Sequence, residues 1–389
     1  MHFSIIHIAF TALLGAVACT WLVLAAQCFA GMRRVPRVSS VTPLPDAALP
    51  SVSLLVSARD EAEKMPAALR SMLALDYPAY EVVAVDDRST DATGEILREF
   101  ASACKHLRAV RVDELPAGWL GKPHGLQTAY ERSTGDWLVF TDADVRYEPQ
   151  SLRLAVSLAI ERGLDHLTLI PKMEMHGFWE RTLMNFFGLA GIMASRPWAV
   201  PDPASSAYVG IGAFQLIRRA AYEKLGTHRS LAFEVVDDMK LGRLAKRAGL
   251  KSSTGIALDL LRIRWHSGIG SIIRGTEKNF FATASFRTGI ALAQCLAALV
   301  VNVLPFAALP FVTGWALVFA ATAAGVAVLL SGAGAAWAGS SPLYGFTHPL
   351  GAVLVIYMAM RSMAITLRQR GIYWRGTFYP LEELRRGVV

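Results

Sequence analysis

The chain of 389 residues is short of charge: Asp, Glu, Lys and Arg make up 18% of it, against 53% hydrophobic residues. An ordinary soluble chain carries about 25% charged residues. With a mean hydropathy of +0.36, that shortage excludes a disordered protein and argues against a purely soluble one. Cysteine is scarce as well. Cys19, Cys28, Cys104 and Cys295 form no CxxC, so neither a disulfide framework nor a zinc site is expected. There is no Walker loop and no G-x-G-x-x-G after the first expected strand. A P-loop NTPase or a Rossmann dehydrogenase is therefore not expected. Internal repeats and long charge blocks are also lacking. The net charge of +8 is modest for this length. It suits an anionic membrane surface or a small anionic substrate, and no nucleic acid is expected as a partner.

Charge is missing in blocks. Residues 1–32 contain none of the four charged types, and 5–30 can cross about 30 Å of hydrocarbon as a helix. Arg33, Arg34 and Arg37 follow at once. The positive-inside rule then puts this end in the cytoplasm and the amino terminus outside. A signal peptide would carry its basic residues before the apolar run instead. Residues 288–360 are again uncharged and have room for three spans, expected near 288–311, 313–334 and 347–367. Pro305, Pro310 and Gly314 mark the first break, and the Gly/Ser/Pro-rich stretch 331–349 the second. Arg361, inside the last span, is expected to snorkel toward Arg368 and Arg370. Four full crossings from an outside start would leave the carboxyl terminus outside. Yet the tail, 368–389, carries five arginines and belongs in the cytoplasm by the same rule. Either one apolar segment does not cross, or the tail breaks the rule.

Between the anchors, residues 51–265 read as an α/β domain with a mostly parallel sheet and helices on both faces, because short β-branched runs alternate with helical patterns. Strands are predicted at 53–57, 82–85, 110–112 and 137–140, and helices at 61–75, 91–103 and 122–133. Residues 33–50 read as a basic linker, its part from 38 onward rich in Ser, Pro and Ala. Residues 266–287 read as an interfacial amphipathic helix, with Ile269, Ile272, Ile273, Phe280 and Phe281 near helical spacing. The apolar run 178–200 carries Glu180, Arg181, Asn185 and Arg196 and reads as a helix lying in the membrane plane.

Polar clusters stand at the carboxyl ends of the expected strands, where open α/β sheets bind ligands. The first is Ser57-Ala58-Arg59-Asp60-Glu61; the second is Asp86-Asp87-Arg88-Ser89-Thr90-Asp91. Asp and Ser cap helices, which accounts for much of either cluster. An adjacent acid pair after an apolar strand can also accept hydrogen bonds from a nucleobase or ribose. Asp142 and Asp144 are the sharpest signal. On an extended chain, residues at i and i+2 leave the same face. Two hard oxygen donors with open positions suit Mg²⁺ or Mn²⁺ bridging a diphosphate. Lys122, in Gly118-Trp119-Leu120-Gly121-Lys122-Pro123-His124, stands at a helix start as a phosphate contact or a solvated lysine. Asp237-Asp238 opens another helix, as caps or with one acid as a general base. Arg264-Trp265 suits a pyrophosphate leaving group or a headgroup boundary.

Taken in order, S-A-R-D-E, V-D-D-R-S-T-D, T-D-A-D, D-D-x-x-L and R-W resemble the membrane-bound, inverting family 2 glycosyltransferases of GT-A fold. The resemblance covers roughly residues 51–285. It implies that Ser57, Arg59 and Asp87 hold the base and ribose of a nucleotide-sugar donor, with a UDP-sugar in first place. It implies that Asp142 and Asp144 hold a divalent cation and the sugar diphosphate, with Lys122 beside the phosphates. Asp238 would be the general base, and Arg264 and Trp265 would hold the leaving diphosphate. G-W-L-G-K-P-H and Gly210-Ile211-Gly212-Ala213-Phe214 are similar to the lipid-glycosylating members, which act on ceramide, carotenoid or hopanoid-type acceptors. Processive polysaccharide synthases carry Q-x-x-R-W, whereas Leu261 stands in the glutamine position here, and the acid pair is Asp-Asp rather than Glu-Asp. The expectation is single-sugar transfer to a lipid hydroxyl by a multi-pass protein of the inner (plasma) membrane, its catalytic domain cytoplasmic. The rivals are a processive synthase, a polyprenyl-phosphate sugar synthase and an inactive membrane scaffold.

Overall fold

A computed structural model describes residues 2–265 and 268–386. The chain divides into two compact units. One comprises residues 1–33, 175–196 and 266–373; the other comprises 34–174, 197–265 and 374–389.

The second unit is built on an eight-stranded sheet. Its strands are β1 (Val52–Ala58), β2 (Tyr80–Asp87), β3 (Leu107–Val112), β4 (Trp137–Asp142), β5 (Val145–Tyr147), β6 (His166–Met173), β7 (Gln215–Arg218) and β8 (Ser252–Ile263). They lie in the order β3-β2-β1-β4-β7-β6-β8-β5. Strands β1 to β4 pair in parallel. β7 runs antiparallel to both β4 and β6, and β5 antiparallel to β8. Parallel strands covered on both faces read as continuous apolar runs, and β1 does so. Leu54 and Val56 enter the core on one face and Leu55 the core on the other. Burying each such side chain contributes about 1.5–3 kcal/mol. β3, at the sheet's edge, is less buried and leaves Arg108 and Arg111 exposed, charges that discourage pairing at the edge.

Several expectations need correction. The helix predicted from 61 begins at Met65, because Asp60 is left-handed (φ 54°) and the backbone N–H groups of Asp60 and Glu61 donate to Ser89 and Thr93. The stretch 33–50 is not a free linker. The Ile256 N–H donates to the Pro36 carbonyl (2.8 Å), Val38 is fully buried, and Arg153 pairs with Asp46 at 2.7 Å. Part of the basic tail also belongs to this unit: Thr377–Pro380 is a strand and Leu381–Arg386 a helix whose Leu384 is fully buried.

The first unit is helical. The helices Ile5–Met32, Gly314–Trp337 and Pro342–Gln369 are long and apolar enough to cross a membrane. Thr288–Asn302 and Leu304–Phe311 form a pair bent by 49°, where one span was predicted. Pro305 at the start of the second helix removes a backbone donor and forces the break. Small residues let the helices approach: Ala316, Ala320, Ala323 and Ala327 are buried along one face of Gly314–Trp337, against Leu14, Val17 and Trp21. Polar side chains find partners inside this unit. Asn185 donates to Ser331 (2.9 Å), and the Trp21 indole donates to the Val301 carbonyl (2.9 Å). Arg361 does not snorkel; it pairs with Glu277 at 2.8 Å. The stretch predicted as one amphipathic helix is two short ones, Ile269–Thr276 and Phe280–Thr283. Its first residues, 266 and 267, lie outside the described residues. The run 178–200 contains the helix Gly177–Ser195, whose Glu180 accepts the N–H groups of His176 (2.7 Å) and Gly268 (2.5 Å).

Candidate active site

The polar clusters gather at the carboxyl ends of β1, β2 and β4. Ser57 and Asp142 are register partners across β1 and β4. Asp142 is the last residue of β4, and Ala143-Asp144 forms a turn rather than a continued strand. Alternation along an extended chain therefore does not place the two carboxylates, and the tertiary fold does so instead. Asp142 accepts from the Lys122 ammonium at 2.7 Å and Asp144 from the Lys64 ammonium at 2.9 Å. Lys64 also donates to the Arg264 carbonyl (2.9 Å) and the Trp265 carbonyl (3.1 Å). One ammonium thus ties the segment after β8 to the acid pair after β4.

The helix Asp237–Arg247 brings the second acid pair to the same place. Lys122, on the first turn of the helix Gly121–Glu131, lies 3.8 Å from Asp237 as well. Gly212 joins the two acid pairs. Its N–H donates to Asp238 Oδ2 (2.8 Å), and its carbonyl accepts the Asp142 N–H (2.9 Å). A Cβ at Gly212 would press on the Asp142 carboxylate at 2.6 Å. That close approach explains a glycine here. Behind the pair, the Gln215 amide donates to the Asp238 carbonyl (3.2 Å) and its oxygen meets His166 Nε2 (3.1 Å). The buried His228 stands 3.9 Å from Asp237 and 2.6 Å from the Tyr222 hydroxyl. Lys122, Thr141, Gly212, Gln215, His228, Asp237 and Asp238 line a single narrow cavity.

The electrostatics follow from this crowding. Burial works against the Lys122 charge, but Asp142, Asp237 and Asp238 outweigh it and push the ammonium's pKa above the ordinary lysine range. Asp144 is pushed up to about 6, first by burial and then by the Asp142 charge. Burial, reinforced by the Lys122 ammonium, lowers His228 to about 3. His228 is therefore neutral at pH 7. No group of three or more His, Cys, Asp or Glu side chains suits a metal among the described residues. The donor set of Asp142 and Asp144 nevertheless fits an Mg²⁺-type cation that takes its other oxygens from phosphate and water. Their carboxylates already coordinate lysine ammoniums, which such an ion would displace.

The residues after β1 and β2 form a separate cluster. Asp87, nearly buried, accepts two hydrogen bonds from Arg88 (2.7 and 3.1 Å). Asp86 pairs with Arg111 and caps the Ser89 N–H (3.1 Å). A Cβ at Gly121 would run into Asp87 and Arg88, so G-W-L-G-K-P-H docks its helix start directly on this acid. Arg59 lies beside it with only 14% of its side chain exposed. Sequence reasoning missed Lys64, Gln215 and His228. Nothing in a sequence marks an isolated polar residue of this kind: Lys64 arrives from the helix start after β1, Gln215 on β7 and His228 from the turn Thr227–Leu231.

Residues 53–226 match the model of glycosyl transferase family 2. This region is a family 2 glycosyltransferase domain. The chain is 23% identical over 238 residues to a 4,4'-diaponeurosporenoate glycosyltransferase of Staphylococcus haemolyticus, covering 60% of this chain and 62% of that protein. It is 33% identical over 112 residues to a beta-monoglucosyldiacylglycerol synthase of Nostoc, covering 28% of this chain and 24% of that one. The chain thus spans less than two thirds of either relative's length. A solved mannosyltransferase from Pyrobaculum calidifontis, in complex with GDP-Man and Mn²⁺, shares the fold. Its TM-score is 0.54 at 22% identity, over 92% of this chain and 98% of that one.

Proposed function

We propose that the protein is a membrane-anchored, inverting glycosyltransferase that moves a sugar from a nucleotide-sugar donor to a lipid hydroxyl with the help of a divalent cation. One observation carries the reading: the Gly212 peptide holds Asp142 through its carbonyl and Asp238 through its N–H. Asp142, which would hold a cation, and Asp238, which would act as the general base, are thereby kept in a fixed relative position. Fixed relative position of this kind is where much of a transferase's rate comes from.

In this reading Ser57, Arg59 and Asp87 bind the nucleoside. Arg264 and Trp265 stay near the leaving diphosphate because Lys64 holds their carbonyls beside Asp144. Asp142 and Asp144 would hold an Mg²⁺ or Mn²⁺ ion, which would supply positive charge next to that leaving group. Asp238 takes the proton of the acceptor hydroxyl, which attacks the anomeric carbon from the face opposite the diphosphate. Leu261 is fully buried and belongs to the core beneath the sheet. It cannot offer the polar contact that a glutamine would, which favours one transfer over processive synthesis. The lipid acceptor is supported by the names of the two relatives, a 4,4'-diaponeurosporenoate glycosyltransferase and a beta-monoglucosyldiacylglycerol synthase.

The membrane arrangement belongs to the same proposal. Residues 34 and 374, just beyond the first and last apolar helices, both belong to the catalytic unit. The chain leaving that unit at 265 must therefore cross the bilayer an even number of times before it returns. Gly314–Trp337 and Pro342–Gln369 supply two crossings. Thr288–Asn302 has 15 residues, about 22 Å at the helical rise, which is too short to span alone. It and its bent partner dip in and return on the same side. Arg33, Arg34 and the tail arginines then all face the cytoplasm, with the catalytic domain.

The test is to incubate membranes containing the protein with radiolabelled nucleotide sugars, Mn²⁺ and a total lipid extract. One labelled glycolipid is expected, and none from Asp238→Asn. A labelled polymer, or transfer by Asp238→Asn at the parent rate, would overturn the reading.

A further inference from the structure

The last residues of the chain return to the rim of the sheet and pack against the cluster after β1 and β2. Arg375 donates to the Arg59 carbonyl and pairs with the Glu61 carboxylate. Thr377 Oγ1 lies 3.5 Å from Arg59 Nη1. Tyr379, 5% exposed, lies next to the Arg88 guanidinium, and Arg88 in turn grips Asp87. Both Arg375 (φ 46°) and Gly376 (φ 77°) are left-handed. This tight turn turns the Arg375 side chain back on the S-A-R-D-E segment. A left-handed arginine costs about 1 kcal/mol and persists only where its contacts hold it. Arg59 is therefore enclosed between β1 and the returning strand. Yet its Nε, fully shielded from solvent, has no hydrogen-bond partner; Asp60 Oδ2 at 4.0 Å is out of reach. A buried guanidinium N–H without an acceptor is costly, and one on a residue at the carboxyl end of β1 points to a missing ligand oxygen.

We propose that the carboxyl-terminal strand forms the outer wall of the donor site, with Arg375 and Tyr379 positioning Arg59 and Arg88 for a nucleoside diphosphate. This rests on the donor reading given above. It assigns the tail a task beyond orienting the chain in the membrane. Tyr379 is too buried to stack on a base, so it acts through Arg88 and Asp87. Arg375 acts through the backbone of Arg59 and the carboxylate of Glu61. Both are positioning residues, and their loss should fall on donor affinity rather than on turnover.

The experiment titrates UDP, GDP, CDP and TDP, each with Mn²⁺, into the full-length protein in lipid nanodiscs by calorimetry. The parent is compared with Arg375→Ala, Arg375→Lys and Tyr379→Phe. Donor KM and kcat are then read on whichever nucleotide sugar the parent uses. Arg375→Ala should weaken nucleotide binding about tenfold, and Tyr379→Phe about threefold. Donor KM should rise in step with little change in kcat, and Arg375→Lys should recover part of the loss. Tyr379→Phe removes one oxygen and keeps the packing, so it reads the proposal even if Arg375→Ala folds poorly. Parent-like affinity in both Arg375→Ala and Tyr379→Phe overturns the proposal while leaving the donor reading intact. A parent that binds none of the four nucleotides overturns the donor reading and the proposal together.

Discussion

Two acidic clusters stand on one sheet rim, and different cations hold them. After β2, Asp86 and Asp87 are gripped by Arg111 and Arg88 and are nearly buried. After β4, Asp142 and Asp144 are held by Lys122 and Lys64, and a third of the Asp142 side chain faces solvent. A guanidinium is a rigid, weakly hydrated fork, whereas an ammonium is a compact, strongly hydrated point charge that changes partners readily. The β2 acids are thus fixed in place. The β4 acids are held by ammoniums, which exchange partners more readily, and on the proposed function they would pass to another cation. The contrast separates the part of the rim that shapes a pocket from the part that exchanges charge.

The sharpest way to break the comparison is at Asp238. Asp238→Asn should lower transfer by at least about a thousandfold, roughly 4 kcal/mol, with an unchanged melting temperature. Retained transfer would remove the catalytic role from the β4 side. Next comes acid stability. Burial lowers His228 to about 3 and His166 to about 4. Histidines whose folded pKa is depressed stabilise the fold above about 6.5 and lose that contribution as pH falls. Each should cost about 1.4 kcal/mol per pH unit from 6.5 down to its folded value. Melting curves between pH 7.5 and 5 should show the decline, and His228→Asn should flatten it. A melting temperature constant over that range contradicts the picture.

Asp86→Asn tests the fixed cluster. It should destabilise the domain by about 1–3 kcal/mol, since it removes a charge-assisted bond from a nearly buried group, and leave activity per folded molecule near normal. A large loss of kcat at unchanged stability would place Asp86 among the working residues. The smallest effect is expected from Lys64→Arg. Replacing the exchangeable ammonium by a fork should weaken Mn²⁺ binding about tenfold in a titration with UDP present. Equal or tighter binding would dissolve the distinction between the two clusters.

Much of this was legible in the residues. The apolar blocks, the alternation of strand and helix, and the acids at strand ends all reflect local periodicity, and each lay within a few residues of its predicted place. What was not legible depends on contacts between distant segments. Asp142-Ala143-Asp144 promised an extended pair, but the chain turns at Ala143. Lys64 carries no motif of its own and matters because it reaches across from the helix start after β1 to Asp144; the segment around Gly212 was marked by resemblance, but its place against Asp142 depends on β7 lying antiparallel beside β4. The basic residues of the tail suggested only a membrane side. Arg375 and Tyr379 instead lie against segments more than 280 residues earlier in the chain.

The amino-acid order by itself determined the long apolar helices, the mixed α/β core and the identity of the acidic residues, because hydrophobic periodicity and side-chain chemistry act over short stretches of chain. The fold alone decided which cation meets which acid, that one glycine joins the two acid pairs, and that the tail packs against the segments after β1 and β2. Those are pairings between separate segments, fixed by sheet order and burial, and no local pattern encodes them.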